Sequence, residues 1–70
     1  MPTDDERKKQ RIEYLLEKHN LHVKWYMFCL VYCFHVEDGD GNYLWGGSRP
    51  TVSTFRNSIL HFLEKYDRGE

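Results

Sequence analysis

Leu21–Val36 reads LHVKWYMFCLVYCFHV and is the one long apolar segment of a 70-residue chain. Its richness in Val, Tyr, Phe, Trp and Cys, with no Gly or Pro, favours strand over helix. At roughly 3.3 Å per residue, about fifteen extended residues would reach about 50 Å. A compact chain of this size has a radius of gyration near 11 Å, hence a diameter on the order of 28 Å. A straight strand therefore does not fit inside a monomer. Either it bends at a bulge near Tyr26 to Cys29, or its first half runs beyond the body and pairs with something else.

Working outward, Glu37-Asp38-Gly39-Asp40-Gly41-Asn42 supplies a tight turn, because Asp-Gly and Gly-Asn pairs accept the positive φ angles of hairpin loops. A short second strand, Tyr43-Leu44-Trp45, follows and gives way at Gly46-Gly47 to a loop ending at Pro50. Upstream, Thr3 is placed to cap a helix whose acidic first turn, Asp4-Asp5-Glu6, suits the positive end of the helix dipole. Glu6 is placed to return the capping bond. Ile12, Leu15, Leu16 and His19 recur at helical spacing, and Asn20 is a left-handed stop followed by Leu21 as its hydrophobic contact. The turns from Asp4 to Arg11 carry almost no apolar face and are expected to project or fray. Downstream, Thr51 or Ser53 caps a second helix with a stripe of Val52, Phe55, Ile59, Phe62, Leu63 and Tyr66, leaving Arg56, Asn57, His61, Glu64 and Lys65 on the other side. Asp67 to Glu70 reads as a frayed end. The resulting expectation is a single α+β domain over 1-70, with the order α-β-β-α: an antiparallel hairpin with two helices packed on one face.

Strand alternation divides the central stretch. Odd positions carry Val23, Trp25, Met27, Cys29, Val31, Cys33 and His35; even positions carry Tyr26, Phe28, Leu30, Tyr32, Phe34 and Val36. With an even hairpin loop, Tyr43 and Trp45 fall beside Phe34 and Val36, and Leu44 goes to the odd side. Both faces are apolar, whereas two helices cover only one face of two strands. The even face carries polar-tipped rings suited to interface cores, so Tyr26, Phe28, Tyr32, Phe34, Tyr43 and Trp45 are the expected partner-binding residues. An unpaired His22 to Leu30 edge also invites a two-fold pairing that would extend the sheet into a homodimer.

Composition narrows the function class. Ten Lys and Arg against eleven Asp and Glu leave a formal net charge of -1, which creates no global field toward nucleic acid or an anionic membrane. No stretch resembles an export signal, and His22, Lys24 and His35 interrupt the apolar segment too often for a span of about 20 residues. Cys29 and Cys33 lie roughly 13 Å apart on a strand, against a disulfide limit of about 7 Å, and read as free thiols of a reducing, cytoplasmic setting.

The chemical motifs are weak. Cys29, Cys33 and His35 lack zinc-knuckle spacing. Cys33 with His35 resembles a nucleophile and base, with no third orienting group identifiable. Asp38, Asp40 and Asn42 imitate a calcium loop, but Tyr43 and Arg49 stand where that loop needs Gly and a bidentate Glu. Arg49-Pro50-Thr51 could place helix N–H groups on an anion, yet it is more simply a strand-to-helix connection. No cofactor is expected.

The function expected from the sequence is a small non-catalytic protein-binding module, an inhibitor or regulator of a larger protein. A phage or mobile-element product is an analogy from size alone. The alternative is a nucleic-acid-binding module that stacks bases on the aromatic sheet and uses the bases Arg7, Lys8, Arg11 and Lys24. Against it, residues 1–20 hold five basic and five acidic side chains and sum to zero.

Overall fold

The computed structural model describes residues 3–70, which form helix α1 (Asp4–His19), strands β1 (His22–Phe28), β2 (Val31–Glu37) and β3 (Tyr43–Arg49), and helix α2 (Val52–Asp67). The strands make one antiparallel sheet in the order β1-β2-β3. The fold is α+β, as expected, with three strands where two were expected. The apolar stretch resolves its length problem by reversing on itself. It neither bulges near Tyr26 nor leaves the body, and the principal extents are 35 × 31 × 18 Å.

The reversal occurs at Cys29-Leu30, both in the left-handed region at φ 50° and 64°. Phe28 pairs with Val31 directly across them, so this is a two-residue hairpin with positive φ at both central positions. Asn-Gly is the usual solution to that geometry. Here two side-chain-bearing residues adopt it, each at a steric cost of roughly 1–2 kcal/mol.

An even two-residue turn makes cross-strand partners opposite in parity. Trp25 stands across from Phe34, Val23 from Val36 and Met27 from Tyr32. The second hairpin has a five-residue loop, Asp38 to Asn42, so Glu37 pairs with Tyr43 at like parity. An extra residue, Leu44, then shifts the register and brings Trp45 opposite Val36. β3 continues through Gly46-Gly47 to Arg49, where a loop was expected.

One sheet face is thereby built from Val23, Trp25, Met27, Tyr32, Phe34, Val36 and Trp45, and both helices pack on it. The core is Leu15 and Leu21, Phe34 and Val36, and Ile59 and Leu63, with Ile12, Leu16, Val23, Trp45, Phe55 and Phe62 against its margin. Phe34 stacks on Phe55 with ring centroids 4.8 Å apart, and Trp45 stacks on Phe62 at 4.9 Å. The apolar stripes read from both helices thus find their partner in the sheet.

Local chemistry sets the helix ends where the sequence places them. The Thr3 hydroxyl accepts from the Glu6 N–H at 3.2 Å. Asn20 is left-handed at φ 54°, and the Leu21 N–H donates to the Leu16 carbonyl at 2.8 Å while its side chain closes over the core. Thr51 caps α2 and exchanges hydrogen bonds with Thr54 as a capping box. Two expectations fail in this layer. Arg11 does not project freely but pairs with Glu64 of α2 at 3.0 Å. Asp67 is not frayed; one carboxylate oxygen accepts from Lys18 Nζ and meets His19 Nε2, each at 2.8 Å. These contacts tie the far end of α2 to the last turn of α1.

Candidate binding surface

No helix or strand among the described residues covers the face opposite the helices. This face is formed by His22, Lys24, Tyr26 and Phe28 of β1, Val31, Cys33, His35 and Glu37 of β2, and Tyr43, Gly46 and Ser48 of β3, which alternate with the core-facing set. Tyr26, Phe28 and Tyr43 are its large rings, each more than three-fifths exposed.

The structure divides the six residues expected to bind a partner. Tyr26, Phe28 and Tyr43 lie on the open face. Tyr32, Phe34 and Trp45 lie on the opposite face under the helices, where Phe34 is buried and the other two are half-buried. The even-position face of a single long strand therefore does not exist. The Cys29-Leu30 turn exchanges the parity of the two halves, and the Leu44 bulge separates Tyr43 from Trp45.

Burial also exposes residues that sequence reasoning left out. Trp25 and Met27 point to the helix side yet are 58% and 50% exposed, because β1 is an outer strand of the sheet. Phe55 reaches Trp25 edge-on at 5.9 Å, leaving a hollow of about 280 Å³ lined by Trp25, Tyr32, Val52, Phe55 and Arg56. At the hairpin tip Leu30 is 87% exposed. Apolar side chains thus cover both sides of β1 and run onto the turn. The signal for them was the unbroken apolar run itself, once its midpoint is recognised as a turn.

At the other end of the open face lies a polar group. His35 Nε2 meets Glu37 Oε1 at 2.9 Å, Lys24 Nζ lies 3.2 Å from the other Glu37 oxygen, and the Tyr43 ring tilts over His35 at 5.6 Å. The hydrogen bonds from His35 and Lys24 hold the Glu37 carboxyl below its ordinary range. Glu37 is the orienting group that the sequence reading of Cys33 and His35 lacked: residues 33, 35 and 37 share this face in the order thiol, imidazole, carboxylate. No hydrogen bond joins the Cys33 thiol to His35, and the row lies on an open sheet. Cys29 sits in the turn, apart from Cys33 and His35, so these three do not share a strand face; both thiols are free.

Among the described residues, no group of three or more His, Cys, Asp or Glu side chains is placed to hold a metal ion. The Asp38 carboxylate accepts from the N–H groups of Asp40 and Asn42 and from the Asn42 side chain. Its oxygens hold the hairpin loop, and the Asn42 bonds hold its carboxyl below the ordinary range. At the start of α2, Arg49 Nε donates to Ser58 at 2.8 Å, so this cation fastens the strand-to-helix connection.

The bases of the alternative reading are dispersed. Arg7 is exposed on α1, Lys8 is half-buried, Arg11 is paired with Glu64, and Lys24 is paired with Glu37. α1 packs on the face opposite Tyr26, Phe28 and Tyr43, so the helix bases and the open aromatic rings lie on opposite sides of the molecule. No helix among the described residues is long and apolar enough to cross a membrane. Compared with protein-family models, curated proteins and solved structures, the chain matches none.

Proposed function

We propose that the chain is a small non-catalytic binding module that regulates or inhibits a larger protein by burying the open face of its sheet. The observation that supports this reading is the exposure of Tyr26, Phe28 and Tyr43 on a face that no element among the described residues covers. Rigid rings with polar tips contribute large contact area at low entropic cost, which suits the centre of a protein interface. The His35-Glu37-Lys24 group at one end supplies a hydrogen-bonding border to an otherwise apolar patch. A non-catalytic role agrees with the lack of a hydrogen bond from the half-buried Cys33 thiol to His35.

The nucleic-acid reading is weaker, because Lys24, the base on the open face, is already paired with Glu37. The test is retention of a host protein on immobilised chain, wild type against a Tyr26→Ser, Phe28→Ser, Tyr43→Ser variant with unchanged far-ultraviolet circular dichroism. The wild type retains a specific protein and the variant does not. Equal retention by both overturns the assignment to this face. Oligonucleotide binding with steep salt dependence replaces it with the alternative.

A further inference from the structure

We propose that β1 is a pairing edge for a second copy of this chain, and that two protomers join β1 to β1 about a two-fold axis into one six-stranded antiparallel sheet. The pairing rests on the strand edge and shares Tyr26 and Phe28 with the regulatory reading, whereas Tyr43 lies on the open face away from that edge and tells the two proposals apart.

The two outer strands differ in how they meet solvent. β3 carries the Leu44 bulge, two adjacent glycines and a terminal Arg49 hydrogen-bonded to α2. Bulges, glycines and charge are the usual means of blunting a sheet edge. β1 has no bulge and no glycine over its seven residues, and Lys24, its one full charge, is turned onto Glu37. Such an edge is a template for another strand.

Exposure on β1 occurs on both sides at once. Trp25 and Met27 are half or more exposed on the helix side, and Tyr26 and Phe28 on the open side. A partner lying only on the open face would leave Trp25 and Met27 in water. A strand added in plane brings its own side chains to both sides, so it covers all four. Trp25, Tyr26 and Phe28 are about three-fifths exposed, and with aromatic areas of roughly 150–250 Å² they present about 350 Å² per protomer. Across two protomers that is more than half of the roughly 1,200 Å² at the lower end of stable interfaces, before Met27 and the backbone are included.

The strand is also complementary to itself. Cross-strand partners must share a face, so the sum of paired positions is even. Full overlap of the seven residues centres the axis on Trp25 and pairs Trp25 with Trp25, Val23 with Met27, Lys24 with Tyr26 and His22 with Phe28. No like charges oppose one another. Each Lys24 stands opposite the partner strand's Tyr26, and with its ammonium held on Glu37 its aliphatic stem is left to pack against the ring. A net charge of -1 per chain adds little repulsion between copies.

Sedimentation velocity from about 1 to 100 µM tests the pairing, with Tyr26→Lys as the disrupting variant. The wild type sediments as a dimer at the upper end. Tyr26→Lys sets ammonium opposite ammonium at two places, and weakens the dimer at least tenfold; Tyr43→Lys, on the open face away from the edge, changes the dimer dissociation constant less than twofold. A wild type that is monomeric at 100 µM overturns the proposal, as does a Tyr26→Lys variant that dimerises as tightly as wild type. Equal weakening by Tyr43→Lys means that copies meet through their open faces, and also overturns it. Amide exchange of the unaltered chain checks the same point without a variant: the β1 amides that point away from β2 are protected at 100 µM and exchange freely at 1 µM, while β2 is unchanged. Identical β1 exchange at both concentrations sinks the edge pairing. Loss of host-protein capture by Tyr43→Lys with the dimer intact separates the two proposals.

Discussion

Trp25 and Phe34 are direct cross-strand partners on the same face of the sheet, yet Phe34 is 4% exposed and Trp25 is 58% exposed. One strand spacing, about 4.8 Å, separates core from surface. The helices close over β2 and over Val23 of β1 but meet Trp25 only through the edge contact with Phe55, so the boundary of the core runs along the sheet between these two rings.

Ring truncations on the two faces should therefore have unequal effects. Trp45→Ser removes the stack on Phe62 and is expected to cost about 2 kcal/mol, below the usual range for a fully buried ring because Trp45 is half-buried. Tyr26→Ser and Phe28→Ser should each lie within about 0.5 kcal/mol of wild type. Urea denaturation followed by circular dichroism distinguishes them, at protein concentrations low enough to exclude association.

At the tip, Cys29→Asn with Leu30→Gly gives the left-handed turn the residues that adopt it most readily. The double variant is expected to gain about 1–2 kcal/mol, because Leu30 buries nothing that its removal would lose. The thermal midpoint reads this out. An unchanged or lowered midpoint argues that the turn is not strained.

Two adjacent glycines should respond unequally to alanine. A Cβ on Gly46 meets the Phe34 carbonyl oxygen at 2.7 Å and His35 Cβ at 2.8 Å, contacts that require backbone to move. Gly46→Ala is expected to destabilise by about 1–3 kcal/mol. At Gly47 the nearest atom is 3.6 Å away, and Gly47→Ala should be nearly neutral. Equal effects on the denaturation midpoint would contradict the close packing of Tyr43 and His35 around Gly46.

Acid should loosen the join between the helices. Hydrogen bonds from Lys18 and His19 lower the Asp67 carboxyl from 3.8 to about 2. A depressed carboxyl contributes stability that is present above its unfolded value and is lost as pH falls through its folded value. The contribution is therefore intact at pH 7 and fades between about pH 4 and 2. Asp67→Asn should lower the urea midpoint at pH 7 and match wild type at pH 2; equal midpoints at both values would show that the pair contributes nothing to folding.

The helix boundaries were legible because their signals are local: Thr3, Asn20 and Thr51 each act within one helical turn. The Asp38-to-Asn42 loop was legible for the same reason. Cys29-Leu30 was not, because its side chains are typical of a strand interior and only the pairing of β1 with β2 imposes their φ angles. Missing that turn carried Tyr32 and Phe34 to the wrong face. Asp67 and Arg11 were misread because their partners lie some fifty residues away on the other helix, a separation that helical periodicity does not sense.

Leu44 gives β3 two reading frames. Tyr43 follows the frame set by the loop, Trp45 the frame set by the core, and both rings keep their places only because one residue between them is not counted in the ladder. Removing Leu44 would leave Glu37 with Tyr43 and Val36 with Trp45 as consecutive pairs of a regular ladder, so a shortened chain keeps both assignments. Removing Ser48 instead would put the sequence before it one step out of phase. Where a gap falls in β3 thus decides whether a related chain presents the same outer surface, even when every aromatic residue is retained.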